Sequence, residues 1–280
     1  MRDALDQIRE AGFPVTGMLG AGMEGAVAAL DDTRVVKLWD RRDRAEVERL
    51  RMFYDAVAET GFALTVPRIL DVVEADGRVL TVQVRLHGEP LSSEDADAVV
   101  EVLAALTEVA VQPDLAVLPV PDGEPPFDPA APFNESMAAL VERRARLLGD
   151  HLASGVAAAL VDELRELTRA EPRLIHGDLA PGNILMIDGR PSALLDFGYV
   201  TTVGDPAFDA AIATVLLDMF GPDAAASRNR LEHLVVARFG YGAHRLALYR
   251  AAYGVVTASC LVADSDGRHF RWCLDLLDDA

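Results

Sequence analysis

Leu174-Ile175-His176-Gly177-Asp178-Leu179-Ala180-Pro181-Gly182-Asn183-Ile184-Leu185 is the stretch on which the fold of this chain turns. It places an aspartate five residues ahead of an asparagine, in a loop between short apolar runs that suit strands. From such a loop a carboxylate can position a hydroxyl, and an amide oxygen can hold a metal. Asp188-Gly189 then reads as a hairpin turn, and Ala193-Leu194-Leu195-Asp196-Phe197-Gly198 follows. Asn183 precedes the first strand of that hairpin and Asp196 ends the second, so both are expected at its open end, within reach of one Mg²⁺. A carboxylate and an amide oxygen suit Mg²⁺, whose other ligands would be water and phosphate oxygens.

Upstream, Gly20-Ala21-Gly22-Met23-Glu24-Gly25-Ala26-Val27 is a G-x-G-x-x-G-x-V string. Its glycines let the backbone approach phosphate and aim N–H groups at it. A dinucleotide-binding turn is excluded, because a strand and not a helix follows. The G-x-x-x-x-G-K-[ST] loop is excluded too, because the sole lysine, Lys37, stands between Val36 and Leu38. The 26 basic residues are otherwise all arginine, and asparagine occurs three times. That composition suits a GC-rich genome in which arginine has displaced lysine, and the survivor marks a place for a compact ammonium. With Ala26–Leu30 and Arg34–Trp39 paired about Asp31-Asp32-Thr33, Lys37 lies across from Val27, beneath the glycine loop.

The rest of the first 88 residues continues this pattern. Pro14–Leu19 reads as a further strand, and Arg44–Glu59 has apolar residues at Val47, Leu50, Phe53, Tyr54 and Val57, a helical period. Ile69–Val73 and Val79–Val84 form a hairpin closed at Asp76-Gly77. After Leu86–Pro90 the pattern turns helical. Ser92-Ser93-Glu94-Asp95 resembles a cap before Ala96–Val109. Gln112–Phe133, with seven of the 15 prolines, is an irregular excursion. Helical periods resume at Glu135–Leu148, His151–Arg169 and from Phe208 onward. The expected division is 1–88, antiparallel and strand-rich, and 89–280, mostly helical: an α+β class.

Charge and composition limit the partners. Residues 1–88 hold 15 acidic and 12 basic residues, net −3; residues 89–280 hold 30 and 14, net −16. A total of −19 argues against nucleic acid or an anionic membrane as partner. No apolar run approaches the roughly 18–20 residues that span a bilayer, and the charged N-terminus lacks a signal-peptide core. Two cysteines, Cys260 and Cys273, make no disulfide framework, so a reducing cytoplasm is expected.

Together these pieces resemble the protein-kinase-like fold: Gly-rich loop, strand lysine, D-x-x-x-x-N and D-F-G, in that order. The form is similar to the aminoglycoside phosphotransferase and choline kinase branch. That branch carries H-G-D, matched by His176-Gly177-Asp178, and G-D-P-x-x-D, matched by Gly204-Asp205-Pro206-Ala207-Phe208-Asp209. Ala180 stands where serine/threonine kinases carry lysine, and the short Asp196–Asp209 span, with no A-P-E after it, leaves no room for a long activation loop. The segment from Asp196 to Asp205 is slightly longer than the branch pattern.

The resemblance implies a bilobal kinase-like fold with a small antiparallel N-lobe and a helical C-lobe. It implies Asp178 as the catalytic aspartate and Asn183 and Asp196 as Mg²⁺ ligands. Gly20, Gly22, Gly25, Val27 and Lys37 would surround the phosphates, with Glu48 (or Glu46) as the helix partner of Lys37. Gln83, Val84, Arg85 and Leu86 would form the hinge that holds the base of ATP, with GTP as the alternative donor. His176 and Asp209 would support the loop, and Asp205, Asp275, Asp278 and Asp279 are candidates for binding the acceptor. The implied activity is phosphorylation of a hydroxyl on a small cationic acceptor such as an antibiotic, which would confer resistance. The alternatives are a metabolic kinase for homoserine, choline or a sugar, and a nucleotide-binding regulator. Monomer and homodimer both remain open.

Overall fold

The computed structural model describes residues 4–22, 24–121, 125–265 and 267–279, and the chain divides into two compact units. The first comprises Met1–Glu89 with Leu185–Leu195, and the second Pro90–Ile184 with Asp196–Ala280. The sequence-based division into 1–88 and 89–280 does not contain this return of a downstream hairpin to the first unit. Main-chain bonds explain it. Thr65 N donates to Ser192 O at 3.0 Å and Leu194 N to Thr65 O at 2.9 Å, so the hairpin is held as sheet structure.

In the first unit, α1 (Ala4–Glu10) precedes β1 (Gly17–Gly22), β2 (Gly25–Ala29) and β3 (Arg34–Trp39). Helix α2 (Arg44–Glu59), then β4 (Ile69–Ala75) and β5 (Arg78–Val84), complete an antiparallel sheet of order β1-β2-β3-β5-β4. Lys37 pairs with Val27 on one side and Thr81 on the other. Strand β3 is buried on both faces after Arg34: Val36 and Leu38 cluster with Ile8 of α1, Val15, Ala28, Leu80 and Val82, and Val35, Lys37 and Trp39 are buried on the opposite face. Helix α1 is absent from the sequence-based reading, since its seven residues bury Ile8 alone. Strand β1 also starts later than Pro14. Pro14 has no N–H to give a ladder, and Val15 turns in to join the core, so pairing begins at Gly17.

Turn chemistry closes the hairpins. Asp76 and Gly77 have φ of 51° and 74°, and Asp188 and Gly189 have 50° and 75°, the double positive φ of a two-residue turn. Helix α2 begins with a reciprocal cap: Glu46 N donates to Asp43 Oδ1 at 2.8 Å, and Asp43 N to Glu46 Oε2 at 2.9 Å.

The short β6 (Glu89–Pro90) leads to the second unit, where α3 (Ala96–Thr107), α4 (Phe133–Leu148) and α5 (Val156–Glu166) precede β7 (Arg173–Ile175). Strands β8 (Ile184–Ile187) and β9 (Arg190–Leu194) form the hairpin, and β10 (Thr202–Gly204) pairs antiparallel with β7. Helices α6 (Ala207–Leu216), α7 (Ala224–Phe239), α8 (Ala243–Cys260) and α9 (Arg268–Asp275) close the chain. Helix α8 is buried from Leu246 to Ser259, and Tyr249 meets Phe133 and Phe208 edge-on at 5.8 and 5.7 Å. The expected cap at Ser92–Asp95 differs: Asp95 is the N-cap residue but makes no side-chain cap bond. Its Oδ2 accepts from Ser92 N instead. Among the described residues, no helix is long and apolar enough to cross a membrane.

Gly25 is the glycine the sheet cannot replace. Its φ is +141°, and a Cβ would lie 1.9 Å from Leu38 O. Gly25→Ala should lower the unfolding free energy by about 2 kcal/mol or more. Gly20→Ala, where a Cβ meets nothing within 4 Å, should change it by less than about 0.5 kcal/mol. Urea unfolding with equal effects at the two positions would contradict this.

Candidate active site

The loop after β7 is fixed by hydrogen bonds that leave Asp178 at its crest. Asp209, buried near the start of α6, accepts from two successive backbone donors: His176 N at 2.7 Å and Gly177 N at 2.8 Å. Thr201 Oγ1 donates to His176 O at 2.7 Å and accepts from Gly198 N at 2.6 Å, which ties the segment after Asp196 to the same loop. His176 is fully buried, its ring 4.4 Å from that of Phe197, and its Nδ1 accepts from Asp178 N at 3.1 Å. A ring nitrogen that accepts is unprotonated, so the proton of the neutral ring sits on Nε2. His176 is therefore a buttress of the loop.

Gly177 makes the bend possible. Its φ is +84°, and a Cβ would lie 2.6 Å from the carbonyl carbon of Val200. Beyond the bend, Asp178 is half-buried and Asn183 Nδ2 donates to its carbonyl oxygen at 2.8 Å. With that nitrogen occupied, the Oδ1 of Asn183 is the atom left to meet a cation. Asp196 is exposed and has φ +52°. Among the described residues, the other non-glycine residues with positive φ, Asp76 and Asp188, sit in tight hairpin turns that require it. Asp196 has no such turn, and an unforced left-handed residue is a mark of a functional segment.

No group of three or more His, Cys, Asp or Glu side chains among the described residues is arranged to hold a metal. Asn183 Oδ1 and the Asp196 carboxylate are hard oxygens, the donor type that would suit Mg²⁺ together with water and phosphate.

Two expectations are corrected. Glu48 does not partner Lys37: it lies on the exposed side of α2, 3.6 Å from Arg44 and 3.8 Å from Arg51, and Glu46 is engaged in the helix cap. Lys37, nearly buried, is instead 3.6 Å from Glu24 at the tip between β1 and β2. Asp205 is not open to an acceptor. It is buried, its Oδ2 is shared by Arg245 and by Tyr249 OH at 2.7 Å, and its Oδ1 accepts from Ala207 N at 3.0 Å. Asp275 and Asp278 are exposed at the end of the chain, while the side chain of Asp279 lies outside the described residues.

The remaining predicted residues fall in the first unit. Gly20 and Gly22 are exposed on β1. Gln83 is buried on β5, its amide donating to Thr81 Oγ1 at 2.8 Å. Val84 ends that strand, and Arg85 and Leu86 follow it half-buried. Sequence reasoning missed Thr201 and Tyr253. Burial pushes the Tyr253 hydroxyl well up, and the charge of Asp178 adds to this.

The profile of the phosphotransferase enzyme family (APH) matches residues 19–248. A 66-residue segment is 33% identical to the serine/threonine-protein kinases tousled-like 1-B of Danio rerio and tousled-like 1 of Mus musculus. That match takes in 22% of this chain and only 9% of the length of either kinase. Solved aminoglycoside phosphotransferases share the fold from end to end. A thermostable mutant of APH(4)-Ia, in ternary complex with ADP and hygromycin B, is similar with a TM-score of 0.71 and 19% identity, over 98% of this chain and 96% of that one. The GDP and kanamycin complex of APH(2")-IIIa gives 0.66 and 17%, over 98% and 97%. The bilobal kinase-like fold, antiparallel sheet first and helices after, is thereby established.

Burial pushes the carboxyl of Asp209 up to about 7, against the pull of the Gly177 and His176 N–H groups and with the charge of Asp178 adding. In the unfolded chain an aspartate titrates near 3.9. The folded value is the higher one, so the contribution is full below about pH 4 and is lost as pH rises through about 7. Urea unfolding of the wild type should therefore show stability falling between about pH 4 and 7 relative to Asp209→Asn. Parallel profiles for the two proteins would contradict it.

Proposed function

This chain belongs to the phosphotransferase enzyme family, and on that premise we propose that it transfers the γ-phosphoryl group of ATP to a hydroxyl of a small cationic molecule. An antibiotic of the aminoglycoside or basic peptide type is the acceptor this reading favours, and its phosphorylation would confer resistance. The observation that carries the proposal is the fixed loop that sets the half-buried Asp178 at its crest, where Asn183 Nδ2 donates to its carbonyl oxygen at 2.8 Å and to its Oδ2 at 3.4 Å.

In this reading Asp178 orients the acceptor hydroxyl and takes its proton as the oxygen attacks the γ-phosphorus. The bond from that phosphorus to the β,γ-bridging oxygen breaks, and ADP leaves. Asn183 and Asp196 would hold Mg²⁺, whose charge would offset that of the β- and γ-phosphates. Lys37 would meet the α- and β-phosphates, and the β1–β2 hairpin, open at Gly20 and Gly22, would admit them close to its backbone. The main chain of Val84, Arg85 and Leu86 would hold the base. Catalysis in such a site is positioning and charge neutralisation.

A cationic acceptor is supported by the net −16 of residues 89–280, which draws multiply charged cations and hastens encounter. It is also supported by the fold shared with proteins that hold hygromycin B or kanamycin. Asp275 and Asp278 remain as candidate acceptor contacts.

The test is Mg·ATP-dependent ADP release across hydroxylated cationic antibiotics, with choline, homoserine and neutral sugars as comparators and GTP as a second donor. One cationic antibiotic should gain the mass of a single phosphate, with kcat/KM about 100-fold or more above every comparator. Turnover confined to a comparator would replace this reading with a metabolic kinase. Lys37→Arg should lower kcat/KM for ATP about tenfold or more, because a guanidinium does not fit the place of a compact ammonium. Wild-type kinetics in that variant would contradict the role of Lys37.

A further inference from the structure

Two cations of the first unit converge on one carboxylate. Glu24 sits at the hinge of the glycine hairpin, its backbone oxygen accepting from Asp40 N at 3.0 Å. Its Oε1 lies 2.5 Å from Arg42 Nη2 and its Oε2 lies 3.6 Å from Lys37 Nζ. The same two cations flank one ring: Lys37 Nζ is 4.0 Å and the Arg42 guanidinium carbon 5.5 Å from the Trp39 centroid. Trp39 is anchored in turn, donating from Nε1 to Thr81 Oγ1 at 3.1 Å. Thr81 also accepts from Gln83, so the cluster continues along β5 toward the expected nucleotide-base position.

The members differ in freedom. The side chains of Lys37 and Arg42 are 7% and 9% exposed, that of Glu24 34%. The cations are held against an indole, where charge and ring attract and water is largely excluded. Glu24 belongs to the hairpin tip. The fit is also incomplete: Glu24 Oε2 and Arg42 Nε are both buried without a hydrogen-bond partner among the described residues. A planar carboxylate leaves that donor unused, whereas an anion with three or more oxygens around phosphorus can answer the whole guanidinium fork and the ammonium together.

We infer that Lys37 and Arg42 form an anion site that Glu24 fills in the empty protein, and that the polyphosphate of the nucleotide displaces Glu24 from it. Arg42 is thereby a second polyphosphate-binding cation beside Lys37, and Glu24 an internal competitor that keeps the buried cations paired until nucleotide arrives. The inference rests on the proposed nucleotide binding in this unit. It sets a definite direction on affinity: wherever the competent state is only partly populated, apparent affinity falls by that fraction, and removing the competitor restores it.

The experiment uses the full chain carrying Trp272→Phe, so that Trp39 fluorescence alone reports the site. Adenosine, ADP and inorganic tripolyphosphate are titrated into this protein and into its Glu24→Gln and Arg42→Gln derivatives. Glu24→Gln should bind ADP and tripolyphosphate about tenfold more tightly, and Arg42→Gln about tenfold more weakly, with adenosine unchanged in both. Glu24→Gln removes the carboxylate that Lys37 and Arg42 share, so its thermal midpoint should start below that of the parent. Its rise on adding tripolyphosphate should then exceed the parent's. If the parent binds adenosine and ADP but neither substitution moves ADP affinity, or if Glu24→Gln weakens it, the inference is overturned. If the parent binds neither adenosine nor ADP, the nucleotide reading itself falls, and this inference with it.

Discussion

A buried carboxylate that accepts two consecutive backbone N–H groups governs the candidate site. Asp209 meets His176 N and Gly177 N at 2.7 and 2.8 Å, one backbone donor to each of its two oxygens. Losing either would leave a buried donor unsatisfied at roughly 1–3 kcal/mol. Those two bonds fix where the chain turns. The turn in turn demands a residue without a Cβ at Gly177, pressed against the Val200 backbone. Once His176 and Gly177 are fixed, the His176 ring can receive Asp178 N, and Thr201 can bridge His176 O to Gly198 N. The position of Asp178 is thus the outcome of a chain of local bonds that starts at α6.

In the first unit the ordering constraint is a pair of cations around Trp39. A nearly buried lysine and arginine are tolerable only beside an opposite charge, and the hairpin tip provides it in Glu24. A carboxylate beside Lys37 thus comes from the glycine-rich segment, while Glu48 of α2 lies beside Arg44 and Arg51. Helix α2 uses Val47, Leu50, Phe53, Tyr54 and Val57 to pack, Glu46 to cap, and leaves Glu48 outward among arginines.

Much of this was legible in the sequence because it is local. Helix α2 follows from its apolar period, and both Asp-Gly turns follow from the positive φ that a two-residue hairpin needs. The Lys37–Val27 pairing follows from the length of the turn at Asp31–Thr33. What was not legible depends on residues far apart in the chain. The motif resemblance assigned Asp209 to the loop, but that Arg245 and Tyr249 of α8 claim Asp205 depends on a helix some 40 residues on. Helix α1 is too short and too polar for a period, and only the β-sheet face that it covers reveals its purpose. The choice of Glu24 over Glu48 needed the bend of the hairpin tip, which no spacing rule contains.

The central claim is that this framework exists to present Asp178 to an acceptor hydroxyl. It is tested most directly by Asp178→Ala, with Mg·ATP binding followed by calorimetry and turnover measured on the acceptor that the wild type phosphorylates. The account predicts Mg·ATP affinity within about threefold of wild type and turnover reduced by roughly 100- to 10,000-fold, the range for loss of a positioned acid or base. Turnover equal to wild type would remove Asp178 from the chemistry and contradict the account.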